Sequence, residues 1–392
     1  MGMAKIKIQN IGPIVDVEME INKVNVIMGP QSSGKSTIAK IISYCQWAEK
    51  RYYLSGVFST STLDDIINFH RFDNNYFNED SLIVYKSDFT QFMFKGKDLR
   101  EIQINNETFD SDIEYKKKKN IYVPSERNFV SAIPNLKKYN ETNDNVLSFI
   151  YDWFSAKRIY TKKNPLPILN FDIKYYYQEL LDEDMLILKD GKEIALRTAS
   201  SGLQSISPLC IVLESLTKDI YERKTPLSVM EKDNFEKLIE AESIRRTETE
   251  IKTLIDNRTY YHGTNFIIEE PEQNLFPETQ RDLIYYLLEK LQSEREHSLT
   301  ITTHSPYILY ALNNCMLGGL VFDKMSEEDK KLIKCQPALI NPQKISIYEI
   351  RKDKLEKIQQ DDGLIGTNYF DQNMKEVMDD FYVFLKYYDD EE

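Results

Sequence analysis

Residues 24–40 read "VNVIMGPQSSGKSTIAK", and their reading decides the fold. "VNVIM" is an almost continuous apolar run, as expected of a strand buried on both faces. "GPQSSGKS" follows directly and matches G-x-x-x-x-G-K-[ST] at every fixed position: Gly29, Gly34, Lys35 and Ser36. Strand, glycine loop and helix, in that order, is the context a phosphate-binding loop requires. Its glycines let the backbone N–H groups around Gln31, Ser32 and Ser33 wrap phosphates, and the helix N-terminus adds a favourable dipole. Lys35 can reach β- and γ-phosphates, the Ser36 hydroxyl can ligate Mg²⁺, and Thr37 is placed for the α-phosphate.

Working outward, "FIIEEPEQNLFP" (266–277) puts two acids at the end of a second buried strand. Glu269 stands where an acid would hold Mg²⁺ through water, and Glu270 where a general base would polarise an attacking water. "LTITTHSP" (299–306) repeats the arrangement, so His304 is expected at the same carboxyl edge of an α/β sheet. There it would meet the γ-phosphate or the attacking water.

The rest of the composition sets limits. The chain has 392 residues, more than one core fills, so several lobes are expected. Its net charge of −13 argues against a broad nucleic-acid footprint. "KKKK" (116–119), beside acidic "DSDIE", reads as a solvated turn. No apolar run approaches the ~20 residues of a membrane span, and the N-terminus shows neither a signal peptide nor a myristoylation pattern. Scattered Cys45, Cys210, Cys315 and Cys335 imply reduced thiols in a cytoplasmic protein, and the four histidines form no ligand cluster.

Between the motifs, "KIKIQ" (5–9) and "DVEMEI" (16–21) alternate as strands. Residues 81–104 hold three β-like runs that form an antiparallel meander, and "NIYVPSERN" (120–128) gives a further strand and turn. Residues 130–180 are helical in part. "MLILK", "DG" and "KEIALR" (185–197) form a hairpin, after which "TASSGLQS" (198–205) opens a helix. Residues 220–260 read as charged amphipathic helices protruding from the core. Strands are expected at 265–269, 299–303, 319–323 and 345–350, with a helix at 277–292 and an apolar-striped tail helix running from Met374 to Tyr388 before acidic "DDEE".

In combination these motifs resemble the ATP-binding-cassette ATPases of the SMC/RecF/OLD group, above all the stand-alone ATPases of bacterial anti-phage operons. The resemblance rests on the phosphate loop (29–37), a signature-like "SSGLQ" (200–204), the acidic strand end (266–270), "PEQNLFP" (271–277) and His304. "IYVPSER" (121–127) also resembles a segment common in the group. The implied fold is α/β: a P-loop core with a mixed or parallel sheet, an antiparallel β side lobe and helical insertions. The expected division is an N-terminal core part (1–60), side lobe and insertion (61–184), hairpin and signature helix (185–219), charged insertion (220–260), C-terminal core (261–350) and helical tail (351–392).

The resemblance also implies that ATP and Mg²⁺ bind between two copies arranged head to tail. Ser201, Gly202 and Gln204 of one copy would then cap the γ-phosphate held by the other. Hydrolysis is expected to be slow. Leu203 replaces a glycine of the usual signature, Glu269 replaces an Asp, and Gln91 and Gln103 compete for the glutamine of the Q-loop. The 88 residues after His304 contain no D-x-D, which weighs against nuclease activity in this chain. The leading expectation is therefore a sensor or regulatory scaffold for a separate effector, a nuclease or toxin, in anti-phage defence. The alternatives are a RecF-like repair ATPase with ATP-gated DNA binding and a degenerate ATP-binding assembly module. A membrane-transporter subunit is disfavoured.

Overall fold

The computed structural model describes residues 3–56, 62–103, 115–133, 136, 144–222, 229–352 and 354–388. "DSDIE" (110–114), the extreme N-terminus and the terminal "DDEE" lie outside the described residues. The chain opens with β1 (Ala4–Ile11), β2 (Ile14–Ile21) and β3 (Val24–Met28), then α1 (Lys35–Ser55) and α2 (Thr62–His70). β4 (Phe77–Lys86), β5 (Gln91–Lys95), β6 (Arg100–Gln103) and β7 (Lys118–Val123) follow, with α3 (Phe129–Ala132) and α4 (Asn145–Lys157). Next come β8 (Leu166–Pro167), β9 (Lys174–Gln178), β10 (Glu183–Ile187), β11 (Glu193–Ala195), α5 (Ser201–Lys218), α6 (Val229–Glu242) and α7 (Glu248–Thr259). The last part runs β12 (Gly263–Glu269), α8 (Pro277–Leu291), β13 (Ser298–Thr303), α9 (Pro306–Val321), α10 (Glu327–Lys330), β14 (Ile345–Arg351), β15 (Lys354–Lys357) and α11 (Tyr369–Tyr388).

Among the described residues three sheets result, and the fold is mixed α/β. The six-stranded sheet has the order β15-β14-β3-β13-β12-β7 and is parallel from β14 to β7. All five residues of β3 and all seven of β12 are buried, because helices cover both faces. Alternate side chains serve two cores: Val24, Val26, Phe266 and Ile268 face the helical side, whereas Ile27 and Ile267 face α1 and the antiparallel sheet. That second sheet, β2-β1-β4-β5-β6, joins the N-terminal hairpin to the meander. The third, β11-β10-β9-β8, extends the expected hairpin, whose turn closes through Leu188 N–H to Lys192 O.

Register fixes the functional edge. Met28 pairs with Thr303, and Glu269 pairs with Thr302. The loops after β3, β13 and β12 therefore leave the sheet at one level, at its carboxyl edge.

Several expectations need correction. Residues 319–321 end helix α9 and 322–324 form a 3-10 turn, so "GLVFD" is not a strand. A short apolar run reads the same in a strand and in a buried helix. At Gly319 a Cβ would lie 2.3 Å from Ile340 O, so the helix rests directly on the segment beneath it. "KKKK" is not a solvated turn: Lys118 and Lys119 begin β7, and Lys117 is buried. Lys116 and Lys118 pair with Glu296 at 3.0 and 3.8 Å, and Lys119 pairs with Asp152 at 2.8 Å. Nor do both helices of 220–260 protrude freely. Asn234 donates to Leu54 O (3.0 Å) and Arg258 to Tyr53 O (2.8 Å), docking α6 and α7 on the C-terminal end of α1. The tail helix does form, but its apolar stripe stays exposed in the single chain, with Val377 and Phe381 64% and 50% accessible. All four cysteines are buried and unbridged, and no helix among the described residues is long and apolar enough to cross a membrane.

Candidate active site

The phosphate loop is shaped by backbone demands. Gly34 sits at φ +97° as the cap of α1, and a Cβ there would come within 2.4 Å of Ile14 Cδ1. Only glycine meets both the conformation and the contact. The first helical N–H groups have no intrahelical acceptor, since that ladder begins with Ile38 N–H to Gly34 O. Lys35 Nζ donates to Gly29 O (3.0 Å) and Pro30 O (2.7 Å), folded back over its own loop. Burial pulls its pKa down to about 8, partly offset by Glu270 and Glu272. Ser33 Oγ is buried without a partner.

An open cavity of about 730 Å³ lies over this loop. Residues 31–37 line it together with Glu270 and His304 from the strand ends and with Pro13, Asp73, Asn75 and Tyr76. The orphan hydroxyl, the lysine and the free helix N–H groups suit a polyphosphate. Ser36 reaches the same cavity and suits Mg²⁺.

Glu270 and His304 come together as expected: Glu270 Oε1 and His304 Nε2 are 3.0 Å apart. The hydrogen bond from His304 is the main reason the Glu270 carboxyl lies below its ordinary pKa. Glu269 is buried beside the pair. It is 6% exposed and does not line the cavity. Its Oε1 accepts from Tyr122 O–H at 2.5 Å and its Oε2 from Ser125 N–H at 3.4 Å. Glu269 is thus held by Tyr122 and Ser125, while Ser36 lines the cavity itself.

Arg127 carries a role the sequence only hinted at through "IYVPSER". Its side chain is fully buried and donates to Glu269 O (2.9 Å), Glu270 O (3.0 Å) and Pro271 O (3.0 Å). These are the carbonyls of the turn that presents Glu270, whose φ is +41°. Such a backbone costs about 1–3 kcal/mol in a non-glycine residue, and each hydrogen bond to a charged donor returns about 1.5–3 kcal/mol. The clamp therefore outweighs the strain. Burying the guanidinium itself costs several kcal/mol and lowers its pKa to about 10, so the net gain lies in geometry more than in stability.

Glu272, the third acid of "EEPE", is a second residue that gave no separate signal. Its Oε1 accepts from Thr303 O–H (2.8 Å) and His304 N–H (2.7 Å), tying the β12 loop to the β13 loop. Burial raises its pKa. Tyr76, Asp73 and Asn75 at the cavity rim were not foreseen at all. Gln91 does not line the cavity, and the side chain of Gln103 lies outside the described residues.

The signature-like stretch forms a well-capped helix start. Ser200 Oγ accepts from Leu203 N–H, and Ser201, the first helical residue, is exposed. Gln204 spends its amide donors on Arg197 O (2.9 Å) and Ala199 O (3.0 Å), which rigidifies the loop. A Cβ on Gly202 would lie 3.0 Å from Asn274 O, so this helix start packs against the loop after Glu270. Beside it Phe276 is 76% exposed.

No protein-family model matches the chain, and no curated protein matches it. Among solved structures it is similar to the SMC head domain from Thermotoga maritima, at 10% identity over 91% of this chain and 98% of that one, with a TM-score of 0.38. It is similar to the recombination mediator protein RecF, at 10% identity over 91% and 98%, TM-score 0.36. A further similarity is to the Smc head domain from Pyrococcus furiosus bound to the C-terminal domain of ScpA, at 8% identity over 96% and 99%, TM-score 0.38.

Proposed function

We propose that this chain is an ATPase whose catalytic site is completed by the signature helix of a second copy. One observation carries the reading. The phosphate loop, Glu270 and His304 line a single cavity, yet none of Ser201, Gly202 and Gln204 reaches it. Gly202 packs against the 271–277 loop at Asn274 O, and Ser201 and Phe276 are exposed. A two-fold head-to-tail pairing brings one copy's helix N-terminus to the other's phosphate loop.

Bound ATP and Mg²⁺ supply the electrophilic phosphorus and the neutralisation of its charge. Lys35 and the loop N–H groups would hold the phosphates, Ser36 would ligate the metal, and Glu269 would hold it through water. Glu270 takes the proton of the attacking water, with His304 holding the carboxylate in its ionised form. Ser201 and Gly202 of the second copy close the site, while Gln204 supports their loop from within its own chain. The divisions 1–60, 61–184, 185–219, 220–260, 261–350 and 351–392 stay with this proposal as its working map.

The wider role we infer is that of a cytoplasmic sensor or regulatory scaffold acting through a separate effector, a nuclease or toxin, in anti-phage defence. It rests on the order of motifs along the chain. The test is size measurement of Glu270→Gln with ATP and Mg²⁺: a shift from one copy to two supports the reading, and a constant mass at saturating ATP refutes it. Loss of phage protection with Lys35→Ala, together with co-purification of the effector, tests the wider role.

A further inference from the structure

A second cavity, of about 540 Å³, lies between α1, α2 and β7 and shares no lining residue with the one over the phosphate loop. Its size is that of a small-molecule site. α1 contributes Trp47, α2 contributes Asp65, Phe69 and His70, and β7 contributes Asn120 and Tyr122. The aromatic walls are continuous: Phe69 and His70 have ring centroids 4.9 Å apart, and His70 and Tyr122 5.2 Å.

Polar atoms in these walls lack partners. His70 is 1% exposed, and its Nδ1 makes no hydrogen bond. Asp65 Oδ2 and Asn120 Nδ2 are likewise buried and unpartnered. Asn120 Oδ1 is already taken by Asn265 Nδ2 at 2.9 Å, which fixes the amide so that Nδ2 is the free end. Burial keeps the His70 imidazole neutral, with its pKa pushed down to about 3. The wall thus offers an acceptor, a donor and a neutral ring nitrogen beside flat aromatic faces. Two aspartates, Asp64 and Asp65, line the cavity, and among the described residues no lysine or arginine does. That charge pattern rejects phosphate.

We propose that this cavity binds a nucleobase presented without phosphate, as free base or nucleoside. Aromatic faces stack bases of any identity, and the orphan polar atoms match the mixed donors and acceptors of a base edge. Tyr122 connects the cavity to the candidate active site, since its ring forms a wall and its hydroxyl donates to Glu269 at 2.5 Å. An occupant pressing on Tyr122 shifts the acid next to Glu270. This coupling rests on the ATPase reading above; the binding site does not.

Trp47 is one of the chain's two tryptophans and reports on the cavity. The experiment titrates adenosine, guanosine, cytidine and uridine separately, following tryptophan fluorescence and heat of binding. At least one should give a saturable signal, with the fluorescence change lost in Trp47→Phe and affinity about tenfold weaker in Asp65→Asn. Absence of saturable binding by any of the four, or equal affinity in Asp65→Asn, overturns the site. ATP turnover is then measured with the nucleoside present. A change in rate that disappears in Tyr122→Phe supports the coupling, and an unresponsive rate overturns it. If the chain hydrolyses no ATP, the ATPase reading fails while the nucleoside titration still decides the site.

Discussion

Glu270 Oε1 and His304 Nε2 sit 3.0 Å apart, joined across the gap between the ends of two adjacent parallel strands. The pair exists because Glu269 is in register with Thr302, which brings Glu270 level with Thr303, next to His304. If Glu270 is the base, Glu270→Gln keeps the shape and removes proton acceptance. Turnover should fall by about 10²–10⁴ with ATP affinity little changed. Single-turnover hydrolysis and equilibrium ATP binding, measured side by side, check this.

The same pair makes a pH prediction. The hydrogen bond from His304 lowers the Glu270 pKa, so removing it raises that pKa. The acid limb of turnover against pH should therefore move to higher pH in His304→Ala, on top of any loss in rate. The sign for stability is parallel: a depressed carboxylate contributes above its unfolded pKa, and that contribution is lost as pH falls through the folded value. An unmoved acid limb would mean that Glu270 is not the group titrating.

Lys35 titrates in the opposite sense. Burial brings its pKa to about 8, and bound phosphates should raise it again. ATP binding just above that pH should then take up a fraction of a proton. Calorimetry in two buffers of different ionisation enthalpy measures the uptake, and Lys35→Met should abolish it. Because the folded pKa is lowered, the desolvation penalty of charged Lys35 applies below it and fades above it.

Arg127→Lys tests the clamp on the acidic turn. Lysine keeps the charge but loses the fork that serves three carbonyls at once. Turnover should drop about 10–100-fold, within the range for misplaced catalytic groups, while ATP affinity shifts far less. Thermal melting separates this from unfolding. A fall in ATP affinity equal to the fall in turnover would show that Arg127 serves binding instead.

The phosphate loop was legible because its requirements are local: a glycine at positive φ, a lysine and a hydroxyl at fixed spacing. Glu270 and His304 were legible for a related reason, as polar residues ending buried apolar strands. Arg127 was only half legible. It bonds to backbone carbonyls, and those leave no trace in side-chain identity. The join of β1 and β2 to the meander was also hidden, since β1 pairs with β4 from far along the chain, Lys5 opposite Lys86. "GLVFD" misled because apolar runs of that length fit strand or helix until their neighbours are known. Gln204 was expected to face a partner's phosphate, and its amide donors instead hold Arg197 and Ala199 carbonyls.

Sharing of the site between two copies is tested most directly by mixing two inactive variants. Lys35→Ala disables the phosphate loop of its own chain, and Ser201→Arg blocks the helix start of its own. In a mixed pair the Ser201→Arg chain keeps an intact phosphate loop, and the Lys35→Ala chain offers it an intact helix start. An equimolar mixture should recover about a quarter of wild-type ATP turnover, from one intact site in half of the pairs. Turnover that stays at the level of the separate variants, with mixed pairs shown to form, would contradict the account.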